Sequence, residues 1–182
     1  MDFEPTAIPD VVLIRPRVLR DARGYFLESW HERRYAEAGL AVRFVQDNHS
    51  HSERHVLRGL HYQRENAQGK LVRVVSGKIL DVAVDLRRSS SSFGRWVAVE
   101  LSADNHLQLW VPPGFAHGIL MLSESADVLY KCTDFYAPQF EHTIRWDDPV
   151  LAIDWRLPAN VQPIVSPKDM QGSSFRDADC YP

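Results

Sequence analysis

The sequence predicts an all-β domain, an antiparallel β-sandwich with a few short helices, and three observations support this prediction. Short β-branched and apolar runs recur along the 182 residues. Eleven prolines and nine glycines punctuate these runs, which is the pattern of a sandwich or barrel. No repeat, linker or break in composition divides the chain, so we expect a single domain over 1–182.

Individual elements follow from local patterns. The β-branched runs 71–75 and 79–84 enclose Ser76-Gly77-Lys78, which predicts a β-hairpin. Similar runs predict strands at 95–101, 107–111, 117–122, 128–135 and 143–146. We predict a helix over 31–38, because Gly39 suits the left-handed position that ends a helix. Ser166 followed by Pro167 predicts a capped helical turn.

Composition excludes several classes of function. A net charge of −3 gives no electrostatic reason to expect nucleic acid or an anionic membrane as a partner. Two cysteines in a chain of this length do not make a disulfide framework, and they favour a reduced, cytoplasmic protein. The acidic start predicts no signal peptide, and no apolar run approaches the length of a membrane span.

Four short motifs carry residues suited to acid–base chemistry, although each also has a structural interpretation. A lone histidine is more often a hydrogen-bonded structural residue than a catalyst, and a tyrosine in a strand usually packs. Spacing alone therefore decides nothing. The motifs are Arg58-Gly59-Leu60-His61 followed by Lys70, Pro112-Pro113-Gly114-Phe115-Ala116-His117-Gly118, Tyr130-Lys131, and Ser166-x-Lys168-Asp169.

The segment His49-Ser50-His51 has the spacing of a metal-binding strand, because alternate residues of a strand share one face. Its neighbours are polar and turn-like. We therefore predict a solvated loop here rather than a metal site.

Taken in order, the four motifs resemble those of the dTDP-4-dehydrorhamnose 3,5-epimerase family. Arg23-Gly24-Tyr25-Phe26-x-Glu28, Gln46-Asp47-Asn48 and Glu141 also match, so the resemblance runs from about 12 to 172. It implies a cupin-type jelly roll that works as a homodimer. It also implies epimerisation, at C3 and C5, of a 4-keto-6-deoxy sugar linked to dTDP.

The resemblance also implies roles for individual residues. His61 would be the general base, Asp169 its orienting partner, and Tyr130 the general acid on the opposite face of the sugar. Lys70 would lie near the C4 oxygen. Contacts with the substrate would come from Arg23, Phe26, Glu28, Gln46, Asn48, Arg58, His117, Tyr136, Glu141 and Lys168.

Neither a metal nor another cofactor is expected. Metal-dependent cupins hold their ion with His-x-His, a glutamate and a later histidine, whereas this chain reads His61-Tyr62-Gln63. The cation of Lys70 would repel a divalent ion. His61 and His117 alone make a poor site.

The proposed chemistry suits these residue types. A C–H bond beside a ketone is acidic because its anion spreads onto the carbonyl oxygen. Histidine is an effective base near neutral pH, a carboxylate fixes its tautomer, and a cationic lysine stabilises the enolate. Arginines suit the diphosphate because their guanidinium donors are forked.

Alternatives remain open at this stage. A relative that inverts only C3 or C5, or a ketoisomerase acting on a related dTDP-sugar, would share most of these motifs. A non-catalytic cupin that binds a sugar nucleotide and a metal-dependent cupin oxygenase or isomerase are the other candidates. The sequence leaves the nucleotide base and the final sugar unidentified.

Overall fold

Two antiparallel sheets pack face to face in the computed structural model, which describes residues 1–182. The strands are β1 Asp2–Pro5, β2 Val12–Arg15, β3 Val18–Asp21, β4 Gly24–Leu27, β5 Gln46–Glu53, β6 Val56–Gln63, β7 Lys70–Ser76, β8 Lys78–Asp85, β9 Trp96–Ser102, β10 Gln108–Val111, β11 Phe115–Met121, β12 Ser125–Cys132, β13 Glu141–Thr143 and β14 Ile164–Val165. The helices are α1 Glu32–Glu37 and α2 Pro167–Met170.

The first sheet has the strand order β1-β2-β10-β7-β12-β5 and the second has β13-β6-β11-β8-β9, with β14 beside β6. The pairing is antiparallel except between β14 and β6. Strands β3 and β4 form a separate two-stranded ribbon. The prediction of an antiparallel β-sandwich with few helices is therefore confirmed.

The main core lies between the two sheets, and alternation along the strands builds it. Val72 and Val74 of one sheet meet Ile79 and Ala83 of the other within a cluster of fifteen buried residues. A second cluster covers the outer face of the second sheet, where Trp155 and the C-terminal segment pack. A third joins α1 to the first sheet through Tyr35.

The predicted hairpin at Ser76-Gly77-Lys78 is wrong. Strands β7 and β8 do not pair with each other, since β7 lies between β10 and β12 while β8 lies between β11 and β9. Gly77, with a φ of +74°, instead turns the chain from one sheet into the other. Both strands are central, so other strands already occupy the two edges of each.

The solvated loop predicted at His49-Ser50-His51 is also wrong, because these residues belong to strand β5. Both histidines are exposed, and both contact Asp127 Oδ1, at 2.9 and 3.1 Å. β5 is an edge strand that pairs only with β12. Its side chains are polar on both faces, which hid the strand from a reading based on hydrophobicity.

Both predicted helices form. His31 and Ala38 cap α1, and Gly39 follows with a φ of +89°. In α2, the Ser166 hydroxyl accepts a hydrogen bond from the backbone N–H of Asp169, at 3.1 Å. Neither helix is long and apolar enough to cross a membrane. Cys132 and Cys180 are both free and buried.

Candidate active site

A cavity of about 300 Å³ opens between the two sheets and contains most of the residues singled out in the sequence. Both sheets contribute side chains, so groups face one another across it. A smaller adjoining space of about 180 Å³ brings in Arg58 and Ser50. The cavity is lined by Gln46, Asn48, His61, Tyr62, Gln63, Gln68, Lys70, Val111, Phe115, His117, Tyr130, Tyr136, Glu141 and Tyr181.

His61 and Asp169 form a hydrogen-bonded pair at the cavity wall. His61 Nε2 lies 2.6 Å from Asp169 Oδ1, and the backbone N–H of Gly59 donates to Asp169 Oδ2 at 3.1 Å. Burial opposes ionisation of Asp169, but these hydrogen bonds outweigh it and hold the pKa of the carboxyl below its usual range. An ionised carboxylate only accepts hydrogen bonds, so Nε2 carries the proton and Nδ1 is left as the basic nitrogen.

Close packing of β6 against β11 places a second histidine beside this pair. His117 lies opposite His61 in the strand register. A Cβ at Gly59 would stand 2.6 Å from Gly118 Cα, so a larger residue there would push the strands apart. His117 Nε2 is bonded in turn to Asp81 Oδ1, at 2.8 Å.

Tyr130 and Lys70 enter the cavity from the opposite sheet, on β12 and β7. Burial raises the pKa of Tyr130, so the phenol keeps its proton at neutral pH. Burial lowers the pKa of Lys70, an effect that the negative charges of Asp81 and Glu141 partly offset. No carboxylate lies within ion-pair distance of the Lys70 ammonium, which leaves it free to meet a developing anion.

Glu141 links two further predicted residues at the edge of the cavity. Its Oε2 accepts hydrogen bonds from the Tyr136 hydroxyl, at 2.6 Å, and from Lys168 Nζ. Burial opposes ionisation of Glu141, but these two donors hold its pKa below the usual range. Tyr136 is 51% exposed, so its ring offers a flat surface next to the opening.

The amide residues of β5 and Arg58 complete the polar wall. Gln46 Nε2 donates to Asn48 Oδ1 at 3.1 Å, and Gln46 Oε1 accepts from the backbone N–H of Tyr136 at 2.9 Å. Arg58 Nε donates to the Ser52 hydroxyl at 2.9 Å. Arg58 forms no ion pair, which leaves its positive charge available to an anionic ligand.

Three predicted contact residues do not reach the cavity. Arg23, Phe26 and Glu28 lie on or just after the β3–β4 ribbon, and none lines it. Arg23 pairs with Asp21 at 2.6 Å, and Glu28 pairs with Arg34 at 2.8 Å. Within one protomer the ribbon therefore does not bring these three residues to the cavity, and their contact with a ligand stays a prediction.

Some lining residues escaped the sequence analysis. Gln63 is buried and holds the loop after β12 by donating to the carbonyl of Phe135 and accepting from the backbone N–H of Ala137. Alternation along β6 could have indicated it, because Gln63 lies two residues after His61. Tyr181 donates to the carbonyl of Gln63 from the far C-terminus, and no local pattern indicates that contact.

The two cavity histidines are poorly placed to share a metal ion. Each already uses Nε2 in a bond to its own aspartate. No group of three or more histidine, cysteine or acidic side chains converges as a ligand set anywhere in the chain.

Proteins of known function are similar to this chain in sequence and in fold, over nearly the whole length of both chains. The family model for dTDP-4-dehydrorhamnose 3,5-epimerase matches residues 5–177. The dTDP-4-dehydrorhamnose 3,5-epimerase of Pseudomonas aeruginosa is 59% identical over 177 residues, which cover 97% of each chain.

Two solved structures are informative. A 3,5-epimerase from Legionella pneumophila in complex with dTDP-4-keto-L-rhamnose has a TM-score of 0.93 and 49% identity, covering 98% of this chain and 94% of that one. A 3'-monoepimerase from Streptomyces bikiniensis in complex with dTDP-quinovose has a TM-score of 0.87 and 30% identity, covering 94% and 87%. The match with its family model and these identities together show that the chain belongs to the dTDP-4-dehydrorhamnose 3,5-epimerase family.

Proposed function

We propose that the protein converts dTDP-4-dehydro-6-deoxy-D-glucose into dTDP-4-dehydro-L-rhamnose by inverting C3 and C5. One observation carries this proposal above the others. An aspartate-bound histidine on one sheet faces a protonated tyrosine and an unpaired lysine on the other, within one cavity. The ligand named in the Legionella pneumophila structure, dTDP-4-keto-L-rhamnose, is the product that this reaction would form.

The first step removes a proton from a carbon next to the C4 ketone. His61 Nδ1 takes the proton, and the electron pair of the C–H bond moves onto the C4 oxygen to give an enolate. Asp169 keeps the ring in the tautomer with a free Nδ1 and stabilises the imidazolium that forms. The Lys70 ammonium stabilises the oxygen as its negative charge develops.

The second step returns a proton to the opposite face of the same carbon. The Tyr130 hydroxyl donates it, the double bond moves back, and the C4 ketone is restored with the carbon inverted. His61 and Tyr130 belong to different sheets, so they approach a sugar in the cavity from two sides. His61 then releases its proton and Tyr130 regains one by exchange with solvent, which restores both groups. Repetition at the second carbon completes the reaction without a cofactor.

The remaining cavity residues would bind the nucleotide and the sugar. Arg58 suits the diphosphate because it is cationic and has no acidic partner. The exposed ring of Tyr136 suits stacking on the base. Contacts with other polar groups would come from Gln46, Asn48, His117, Glu141 and Lys168.

The protein acts as a homodimer in this proposal, and the β3–β4 ribbon gives a reason. Leu19, Tyr25 and Phe26 are 50–67% exposed there, which is unusual for large apolar side chains on a ribbon of four-residue strands. A second copy that places this ribbon over the cavity would bury them. It would also bring Arg23, Phe26 and Glu28 to the substrate, where one protomer alone cannot place them.

Mixing two inactive variants tests this arrangement. His61→Ala lacks the base, whereas Arg23→Ala/Glu28→Ala lacks the ribbon contacts. When the two are refolded together, half of the dimers are mixed, and each mixed dimer has one intact site if the ribbon acts across the interface. Recovery of about a quarter of wild-type activity is expected for a two-fold symmetric dimer. No recovery in verified mixed dimers would place the ribbon and base contributions in the same chain.

Proton NMR of the reaction in D2O tests the function itself. The wild-type protein is incubated with dTDP-4-dehydro-6-deoxy-D-glucose, and C3 and C5 are followed separately. Deuterium and inversion at both carbons are expected. Inversion at one carbon alone would identify a mono-epimerase. The 3'-monoepimerase of Streptomyces bikiniensis has a closely similar fold, so the fold alone does not distinguish the two activities. Tight binding without exchange would identify a non-catalytic binding protein.

A further inference from the structure

Asp81 is a buried carboxylate that has no direct part in the reaction described above, although its negative charge favours the charged form of Lys70. It lies on β8 between Ile79 and Ala83, whose side chains alternate into the core between the sheets. Its side chain is 0% exposed. A carboxylate in such surroundings costs several kcal/mol unless it is paired, so its position calls for an explanation.

The other buried aspartates show what a structural carboxylate looks like in this chain. Both oxygens of Asp85 accept hydrogen bonds, from Arg87, Ser90 and Ser92. Both oxygens of Asp148 accept backbone N–H groups. Asp169 likewise uses both, as described above.

Asp81 differs from these three because only one of its oxygens has a partner. Oδ1 accepts from His117 Nε2, at 2.8 Å, whereas Oδ2 is buried without any hydrogen bond. Buried carboxylates that serve only the fold usually have both oxygens bonded, as Asp85 and Asp148 do. What Asp81 demonstrably holds is the ring of His117, which lines the cavity opposite His61.

We propose that Asp81 is a positioning residue that fixes His117 as the Nε2–H tautomer, so that Nδ1 accepts a hydrogen bond from a hydroxyl group of the sugar. The carboxylate can only accept, so the proton between the two residues lies on Nε2. The neutral ring then has one remaining acceptor, Nδ1. A hydroxyl held in this way fixes the rotation of the sugar between His61 and Tyr130.

The link to catalysis rests on the proposed function, but the tautomer itself does not. Nitrogen-15 NMR of the wild-type protein reports the tautomer directly, and the His117→Asn spectrum assigns the signal by its loss. The Nε2–H form is expected. The Nδ1–H form would overturn the proposal, whatever the activity of the protein.

Asp81→Asn tests the consequence. An amide can donate as well as accept, so it can stabilise the wrong histidine tautomer. We expect kcat to fall between about tenfold and a hundredfold, as when a carboxylate that orients a functional histidine is removed. Affinity for dTDP, which has no sugar hydroxyl beyond the deoxyribose, should stay within about twofold. A wild-type kcat would overturn the proposal.

A double-mutant cycle and a control variant separate positioning from folding. At a pH well below the pKa of Lys70, where the ammonium stays charged in both proteins, Asp81→Asn should cause little further loss of kcat in the His117→Asn background, because its remaining effect passes through His117. Full additivity would overturn the proposal. Asp148→Asn is the matched control, since this aspartate is equally buried but bonds only backbone N–H groups away from the cavity. It should lower the melting temperature and leave kcat unchanged.

Discussion

Replacing Tyr130 by phenylalanine separates the two halves of the proposed reaction. The Tyr130 hydroxyl forms no hydrogen bond within the protein, and its ring packs beside the core between the sheets. Tyr130→Phe therefore removes no internal hydrogen bond and keeps the ring contacts. The free energy of unfolding should change by no more than about 0.5 kcal/mol.

The effect on the reaction should be much larger. Loss of a general acid typically costs about two to four decades in rate, which corresponds to roughly 2.7–5.4 kcal/mol in the activation free energy. The first step should suffer less, because His61 still removes the proton and Lys70 still stabilises the enolate. Epimer formation should therefore fall sharply while enolate formation continues.

Exchange in D2O makes this difference visible. The His61 side chain is 28% exposed, so the proton it takes up can exchange with solvent. His61 can then return a deuteron to the original face of the sugar. Deuterium should enter C3 or C5 with the starting configuration retained, and NMR measures this separately from the epimer yield.

Tyr136→Phe is the matched control for this experiment. Tyr136 also lines the cavity, but its hydroxyl donates to Glu141. Its removal should weaken binding without separating exchange from inversion. A wild-type epimer yield from Tyr130→Phe would show that another group donates the proton. Loss of both exchange and inversion in a folded Tyr130→Phe protein would show that the phenol is also needed for the first step.

The remaining predictions concern the base, the lysine, the metal and the diphosphate. His61→Ala should lower the rate of exchange at both carbons by about two to four decades. Asp169→Asn should also lower this rate severely, because an amide can stabilise the wrong histidine tautomer. Near wild-type exchange in His61→Ala would refute the assignment of the base. The kcat/KM should fall as pH rises through the lowered pKa of Lys70, below 10.5, and this limb should disappear in Lys70→Arg, whose guanidinium stays charged. An unchanged limb would assign it to another group. Extensive EDTA treatment should leave turnover unchanged. A loss of turnover that one added divalent ion restores would contradict this prediction. Arg58→Ala should weaken dTDP binding by about one to two decades, measured by calorimetry; unchanged affinity would count against its contact with the diphosphate.

The strands of the core could be predicted from the sequence because buried strands are made of β-branched and apolar residues. The runs around Val72, Val82 and Leu109 are buried between neighbours, and β-branched or apolar residues mark them. The composition of a strand did not predict which other strands it pairs with. A glycine turn such as Gly77 has the same local sequence whether it closes a hairpin or carries the chain between sheets. The choice depends on which strand edges distant segments already occupy.

Strand β5 shows why functional segments resist this kind of prediction. Burial alternates along it as in any strand, but the inward side chains Gln46, Asn48 and Ser50 are polar because they line the cavity spaces. The outward His49 and His51 are polar because they face solvent. Hydrophobic alternation disappears where an inner face must bind a ligand, so the strand was mistaken for a loop.

The site residues were found by a different route. Their roles came from the resemblance of ordered motifs, since a single His61 or Tyr130 in isolation is more often structural. The structure adds what motifs cannot supply, namely that Asp169 approaches His61 across 108 positions of sequence. Asp81 had no such motif, because it interrupts an apolar run and resembles an ordinary strand residue until its partner is known. A buried acid that breaks a hydrophobic strand is therefore the pattern to pursue in related chains, since only a specific partner can make its burial tolerable.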